Sequence, residues 1–222
     1  HRMITSGDYH SDLSDNEPND DVTAKILRDF EWAKPEIDDS SVMDLRNSGK
    51  MMVALRLIEL AKMSGEKVLL FSRSICTLDY IGAALEHYNI RYWRIDGTVQ
   101  SAKRQTMIES FVADSVEDVF LLSSLAGSLG VNLTAASRVI LFDVGWNPCH
   151  DEQAIGRAFR FGQTRPVTVY RLCTFGTIET RLYNLNVFKV TLSSQAVDKK
   201  DIARRIGKTD LQEYFKPPAM PP

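Results

Sequence analysis

The residues of this 222-residue chain best suited to chemistry lie in the run Asp151-Glu-Gln-Ala-Ile-Gly-Arg-Ala-Phe-Arg-Phe-Gly-Gln163. Read as a helix, its spacings of four and three place Gln153, Arg157 and Arg160 on one face. Two guanidiniums one turn apart form a permanently charged, planar fork suited to a polyphosphate. Ile155, Ala158 and Phe159 form the opposite stripe, predicted to pack against a sheet. Asp151 and Glu152 open the run, where the helix dipole favours acids, and Gly162 follows its end, where a left-handed residue is common. Alone, such an arginine pair is better explained by an ordinary solvated basic face. Its surroundings must decide.

Those surroundings alternate regularly. Apolar residues at Met51, Ala54, Leu55, Ile58 and Ala61 predict a helix over 50–63, stopped by Gly65. Apolar runs at 67–71, 91–95, 118–122, 138–142 and 167–172 predict strands, the central ones covered on both faces. Helical patterns around Leu78, Ile81 and Leu85, and around Met107, Ile108 and Phe111, fall between them. Strand and helix in alternation imply an α/β fold, a mainly parallel sheet with helices on both faces. A long helix is expected from Ile178 to Val190 as a C-terminal extension.

Ligands of such sheets gather at the carboxyl ends of the strands. There the sequence offers Ser72-Arg73-Ser74, Asp96-Gly97, Ser123-Ser124-Leu125-Ala126-Gly127 and Asp143. Small, hydroxylated and glycine-containing loops expose backbone N–H groups to phosphate. The arginine pair is expected on the same rim. A P-loop is missing: before Gly49-Lys50 stands Asp44 where a glycine is required, and Met51 replaces the hydroxyl. No paired carboxylates follow a strand to hold magnesium. The chain thus carries groups to stabilise transferred charge but no cradle for a triphosphate.

Composition is permissive. Hydrophobic and charged fractions of 44% and 25% are those of a soluble globular protein, and no apolar run suffices to span a membrane. No signal peptide opens the chain. Cys76, Cys149 and Cys173 lack paired spacing and read as free thiols in a reducing compartment. The net charge of -2 divides into 12 acids against 6 bases over residues 1–50, and 17 against 21 beyond. Residues 1–21 are predicted to be an acidic disordered leader. Residues 22–47 are a linker whose Phe30, Trp32 and Ile37 could clip onto the body, and 209–222 a loose Pro-rich tail. His87 and His150 are isolated and receive no catalytic role. Trp146 reads as a packed anchor.

The ordered blocks resemble the second RecA-like lobe of SWI/SNF-type superfamily-two ATPases. They are Val68-Leu-Leu-Phe-Ser-Arg73, Arg94-Ile-Asp-Gly97 with Arg104 and Phe111, Leu121 to Ala136, Val139 to Pro148, and the opening run. Together they cover 48–176. The Ala126-Gly-Ser-Leu-Gly130 and Phe161-Gly-Gln-Thr-Arg-Pro-Val167 wording is similar to the ATRX-type branch, as is Val187 to Asp198, resembling that branch's brace within 177–208.

The resemblance implies a nuclear, DNA-dependent ATPase. ATP and Mg²⁺ would be held mainly by an absent first lobe, with Arg157 and Arg160 reaching the phosphates on closure. Gly130 and Asn132 would lie at the nucleotide cleft and Gln153 would sense the nucleotide or bind the nucleic acid, while Ser72, Arg94, Gly97 and Ser124 would grip the backbone of double-stranded DNA or nucleosomes. No metal ligand is assigned to this lobe, which alone is expected to be inactive. Leu125 stands where the family usually has Arg or Lys, and Ser124 replaces Thr. A conventional helicase lobe or a degenerate scaffold remain the alternatives.

Overall fold

A computed structural model describes residues 44–113, 118–124 and 132–197. The leader, residues 22–43 of the linker, residues 198–222 and Gly130 lie outside the described residues.

A 3-10 turn, Leu45–Asn47, leads into α1, Gly49–Met63, whose N-cap Ser48 accepts the Met51 N–H at 3.3 Å. Then follow β1 (Lys67–Ser72), α2 (Ile75–His87), β2 (Tyr92–Ile95), α3 (Ser101–Val112), β3 (Val119–Ser123), β4 (Ala136–Leu141), α4 (Pro148–Ala158), β5 (Thr168–Arg171) and α5 (Ile178–Val197). The five strands form one sheet in the order β2-β3-β1-β4-β5, and every pairing is parallel. This is the expected α/β architecture, with strand ends within about two residues of those read from the sequence, while α5 runs on to Val197, past the expected Val190. Gly65 ends α1 with φ +63, the left-handed conformation only glycine adopts without strain.

Alternation along the strands builds two cores. Val68, Leu70, Val119, Leu121 and Ile140 face one side and meet Met51, Ala54 and Ile58 of α1 and Leu78, Ile81 and Leu85 of α2. Leu69, Phe71, Phe120, Val139 and Leu141 face the other and meet Ile108 and Phe111 of α3 and Ala154 and Ala158 of α4. Phe111 and Phe120 pack with ring centroids 5.0 Å apart. Each such fully buried side chain contributes roughly 1.5–3 kcal/mol.

Helix α4 departs from the expected bounds at both ends. It begins at Pro148, because Asn147 accepts the Cys149 N–H at 3.1 Å and Pro occupies the first turn, where its missing donor costs nothing. It ends at Ala158, short of the expected stop before Gly162. The Arg157 carbonyl accepts the Leu133 N–H at 2.9 Å, and the Gln163 side-chain amide donates to the Ala158 carbonyl at 3.2 Å. Both carbonyls are captured by tertiary partners, so the next turn cannot propagate. Arg160 therefore stands beyond the helix, and Phe159, expected to be buried, is 70% exposed.

Candidate functional site: two edges of one sheet

The carboxyl edge is organised by a side chain not singled out for a role, Asp143. Its Oδ2 accepts from the Ser72 hydroxyl at 2.5 Å and from the Arg73 N–H at 2.9 Å. The Ser124 N–H donates to the Ser72 carbonyl, and the Phe142 N–H to the Phe71 carbonyl, each at 2.9 Å. Neighbouring strand ends are thus laced together. Ser74 caps α2 by accepting the Thr77 N–H.

This lacing corrects one expectation. Ser72 is 1% exposed and its hydroxyl is committed to Asp143, so it does not present a group to a phosphodiester. Arg94 is corrected for a related reason. Its Nη1 donates to Asp79 at 2.6 Å and its Nε to Asp96 at 2.8 Å, which makes it a cross-link between β2 and α2.

Asp96 in turn shapes the exposed turn at Gly97. Thr98 donates its N–H and hydroxyl to Oδ1 at 3.0 and 2.6 Å, and Arg104 donates to the Asp96 carbonyl at 3.1 Å. Burial disfavours the charged carboxylate, but the Thr98 donors and the Arg94 guanidinium outweigh it and hold the Asp96 carboxyl below its ordinary range. Gly97 is exposed, with open space where a Cβ would point. Ser124 is partly exposed beside it on the same edge.

The arginines lie at the opposite edge. Leu133, bonded to Arg157, immediately precedes β4, and the Gln163 amide also donates to the carbonyl of Ala136, the first residue of β4, at 2.8 Å. Arg165 Nη1 reaches the Gly65 carbonyl, ahead of β1, at 3.0 Å. The expectation that the pair shares the carboxyl rim is thereby corrected, because a helix returning antiparallel to its strand ends where the next strand begins. Arg157 is half-buried, whereas Arg160, Asn132 and Gln153 are exposed. Asn132 is adjacent to the Leu133–Arg157 bond, and Gln153 lies one turn before Arg157 on α4.

Three further contacts tie α5 to the rest of the lobe. Lys50 Nζ donates to the Phe142 carbonyl at 3.0 Å and pairs with Glu179. The lysine of the Gly49-Lys50 pair is therefore a structural clasp. Burial opposes ionisation of Glu179, but Lys50 and the Thr174 N–H hold its carboxyl below the usual range. Asn186 donates to the Gly145 carbonyl at 2.6 Å, and Lys189 to the Trp146 carbonyl at 2.9 Å. The Trp146 ring, expected to be packed, is largely solvent-exposed, at 61% for the residue. Arg73 crosses Gly145 so closely that a Cβ there would lie 2.4 Å from its Nη1. These contacts join residues far apart in sequence, and no local pattern announces them.

Set beside known proteins, residues 49–162 match the helicase conserved C-terminal domain, and the chain belongs to that family. It is 34% identical over 209 residues to the transcriptional regulator ATRX homolog of Drosophila melanogaster, covering 83% of this chain and 16% of that protein. It is 42% identical over 189 residues to the DNA excision repair protein ERCC-6-like of Danio rerio, covering 84% and 13%. The chain thus spans less than a fifth of the length of these curated relatives. The crystal structure of the C-terminal part of the Fun30 ATPase domain superposes with a TM-score of 0.63 at 30% identity, covering 83% of this chain and 63% of that one. The fold is accordingly the RecA-like second lobe of SWI/SNF-type proteins.

Proposed function

We propose that the chain is the second helicase lobe of an ATP-dependent double-stranded DNA translocase acting on chromatin in the nucleus. The observation that carries this reading is the Leu133–Arg157 bond, which gathers Asn132, Arg157 and Arg160 at the amino edge of the sheet. ATP and Mg²⁺ would be held mainly by a first lobe of the full-length protein.

On closure of the lobes, Arg157 and Arg160 meet the β- and γ-phosphates, with Gln153, Gly130 and Asn132 bordering the nucleotide. Arg157, anchored by its carbonyl at a capped helix end, supplies a preorganised charge. Arg160, on the turn beyond, supplies reach. An arginine delivered this way accelerates phosphoryl transfer about 10³–10⁵-fold, or roughly 4–7 kcal/mol. DNA is held at the other edge, by the Gly97–Thr98 turn and Ser124, through the phosphodiester backbone. Backbone contact fixes register without reading sequence, as a motor stepping along any duplex requires. Alternating closure would then pass the grip between lobes.

The test is Arg160→Ala in the full-length protein. DNA-stimulated ATP hydrolysis is expected to fall at least ~10³-fold while the lobe keeps its unfolding midpoint. Unchanged turnover would remove the assignment.

A further inference from the structure

The turn that carries Arg160 gains little from packing. Phe159, Arg160, Phe161 and Gly162 are all exposed, the two rings at 70% and 99%. Apolar burial stabilises in proportion to the area hidden from water, and here almost none is hidden. Polar contacts hold the turn instead, and they converge on Gln163, the first residue after Ala158 that is partly buried.

The main-chain N–H of Gln163 donates to the Arg160 carbonyl at 3.0 Å. The Arg160 N–H donates to the Ala158 carbonyl at 3.2 Å, and the Gln163 side-chain amide donates to that same oxygen at 3.2 Å. Both backbone polar groups of Arg160 are thus engaged within one turn. Gly162, with φ +99, supplies the left-handed reversal that brings Gln163 back to Arg160. Capping the end of α4 needs only the bond to Ala158. The amide nitrogen goes further and donates to the Ala136 carbonyl of β4 at 2.8 Å, 27 residues away in the chain. Oε1 accepts the Arg165 N–H at 2.9 Å, and Arg165 Nη1 is itself fixed on the Gly65 carbonyl at 3.0 Å. An exposed turn is thereby tied to the sheet through one side chain.

We propose that Gln163 is a positioning residue for Arg160: it fixes the backbone of that arginine against β4, so that the guanidinium meets the transferred phosphate, without itself touching nucleotide. The role rests on the reading of Arg160 given under the proposed function. An arginine side chain has many rotamers, so the place of its backbone decides which of them are productive. Misplacing a reacting group by about 1 Å costs about 100-fold in rate. A contact made only in the transition state shows in kcat and not in KM.

The experiment is DNA-stimulated ATP hydrolysis by the full-length protein, followed well below the unfolding midpoint of each variant. Gln163→Met keeps the length of the side chain and removes its polar groups. Gln163→Glu keeps the acceptor for Arg165 and removes the donors. Both are expected to lower kcat at least ~10-fold, while KM for ATP moves less than about twofold. Arg160→Ala/Gln163→Met, read by single-turnover hydrolysis, should be no slower than Arg160→Ala, because a residue acting through Arg160 has nothing left to position. A merely structural role multiplies the two losses, and multiplied losses would overturn the proposal. So would an unchanged kcat in both Gln163 variants beside an inactive Arg160→Ala, a result that leaves the role of Arg160 standing. Full turnover in Arg160→Ala removes both roles together.

Discussion

The Leu133 N–H donates to the Arg157 carbonyl at 2.9 Å, joining the approach to β4 to the last turn of α4. Through this bond one edge of the sheet receives the arginines while the other keeps the hydroxylated strand ends.

Gln163 supports that edge from the far side, donating to the carbonyls of Ala136 and Ala158 and accepting the Arg165 N–H at 2.9 Å. Gln163→Ala is expected to lose about 1–3 kcal/mol, because the Ala136 carbonyl and the Arg165 N–H lose this partner, while the Ala158 carbonyl keeps the Arg160 N–H. Urea unfolding measures the loss, and ATP turnover of the full-length variant should drop with it.

Gly145→Ala forces Arg73 aside, since the new Cβ would sit 2.4 Å from Nη1 and 3.2 Å from Cζ. Because Nη1 is the far end of a flexible side chain, the shift is cheap, and a destabilisation of no more than about 1 kcal/mol is expected. In Arg73→Ala the clash is gone, so adding Gly145→Ala should cost little more. A fully additive pair in a double-mutant cycle would contradict this contact.

Lys50→Ala leaves Glu179 charged and partly buried, and is expected to cost about 3 kcal/mol. The pH dependence follows from Glu179 and Asp96, both held below their ordinary values. Groups with depressed native values stabilise the fold above their unfolded range of about 4. That contribution is lost as pH falls through the lowered native values. Unfolding midpoints should therefore decline below about pH 4, less steeply in Lys50→Ala.

Arg94 is committed to Asp79 and Asp96. Arg94→Gln in the full-length protein should lower stability yet leave the salt dependence of DNA affinity unchanged. A true phosphate contact would reduce the slope of log K against log salt by about 0.9. A reduction of that size would return Arg94 to the DNA interface.

The sheet was legible because strand burial is a local property: Val68 to Phe71 are apolar in sequence and buried in space. The start of α4 carries a local signal, the Asn147-Pro148 cap, which the expected start at Asp151 overlooked. Its end carries none. Ile155 to Gln163 keeps helical periodicity, and only Leu133 and Gln163, arriving from the flanking loops, break it. Arg94 and Ser72 looked available for the same reason. Asp79, Asp96 and Asp143 come near them only after folding, and a carboxylate at hydrogen-bond distance decides whether a guanidinium or hydroxyl still has donors to offer.

The clasp of Lys50 on Glu179 has a mechanical meaning. It fastens the first turn of α1 to the first turn of α5, so the incoming and outgoing segments share one anchorage. The start of α5 is thereby held in step with the start of α1, and a load placed on either helix is shared by both.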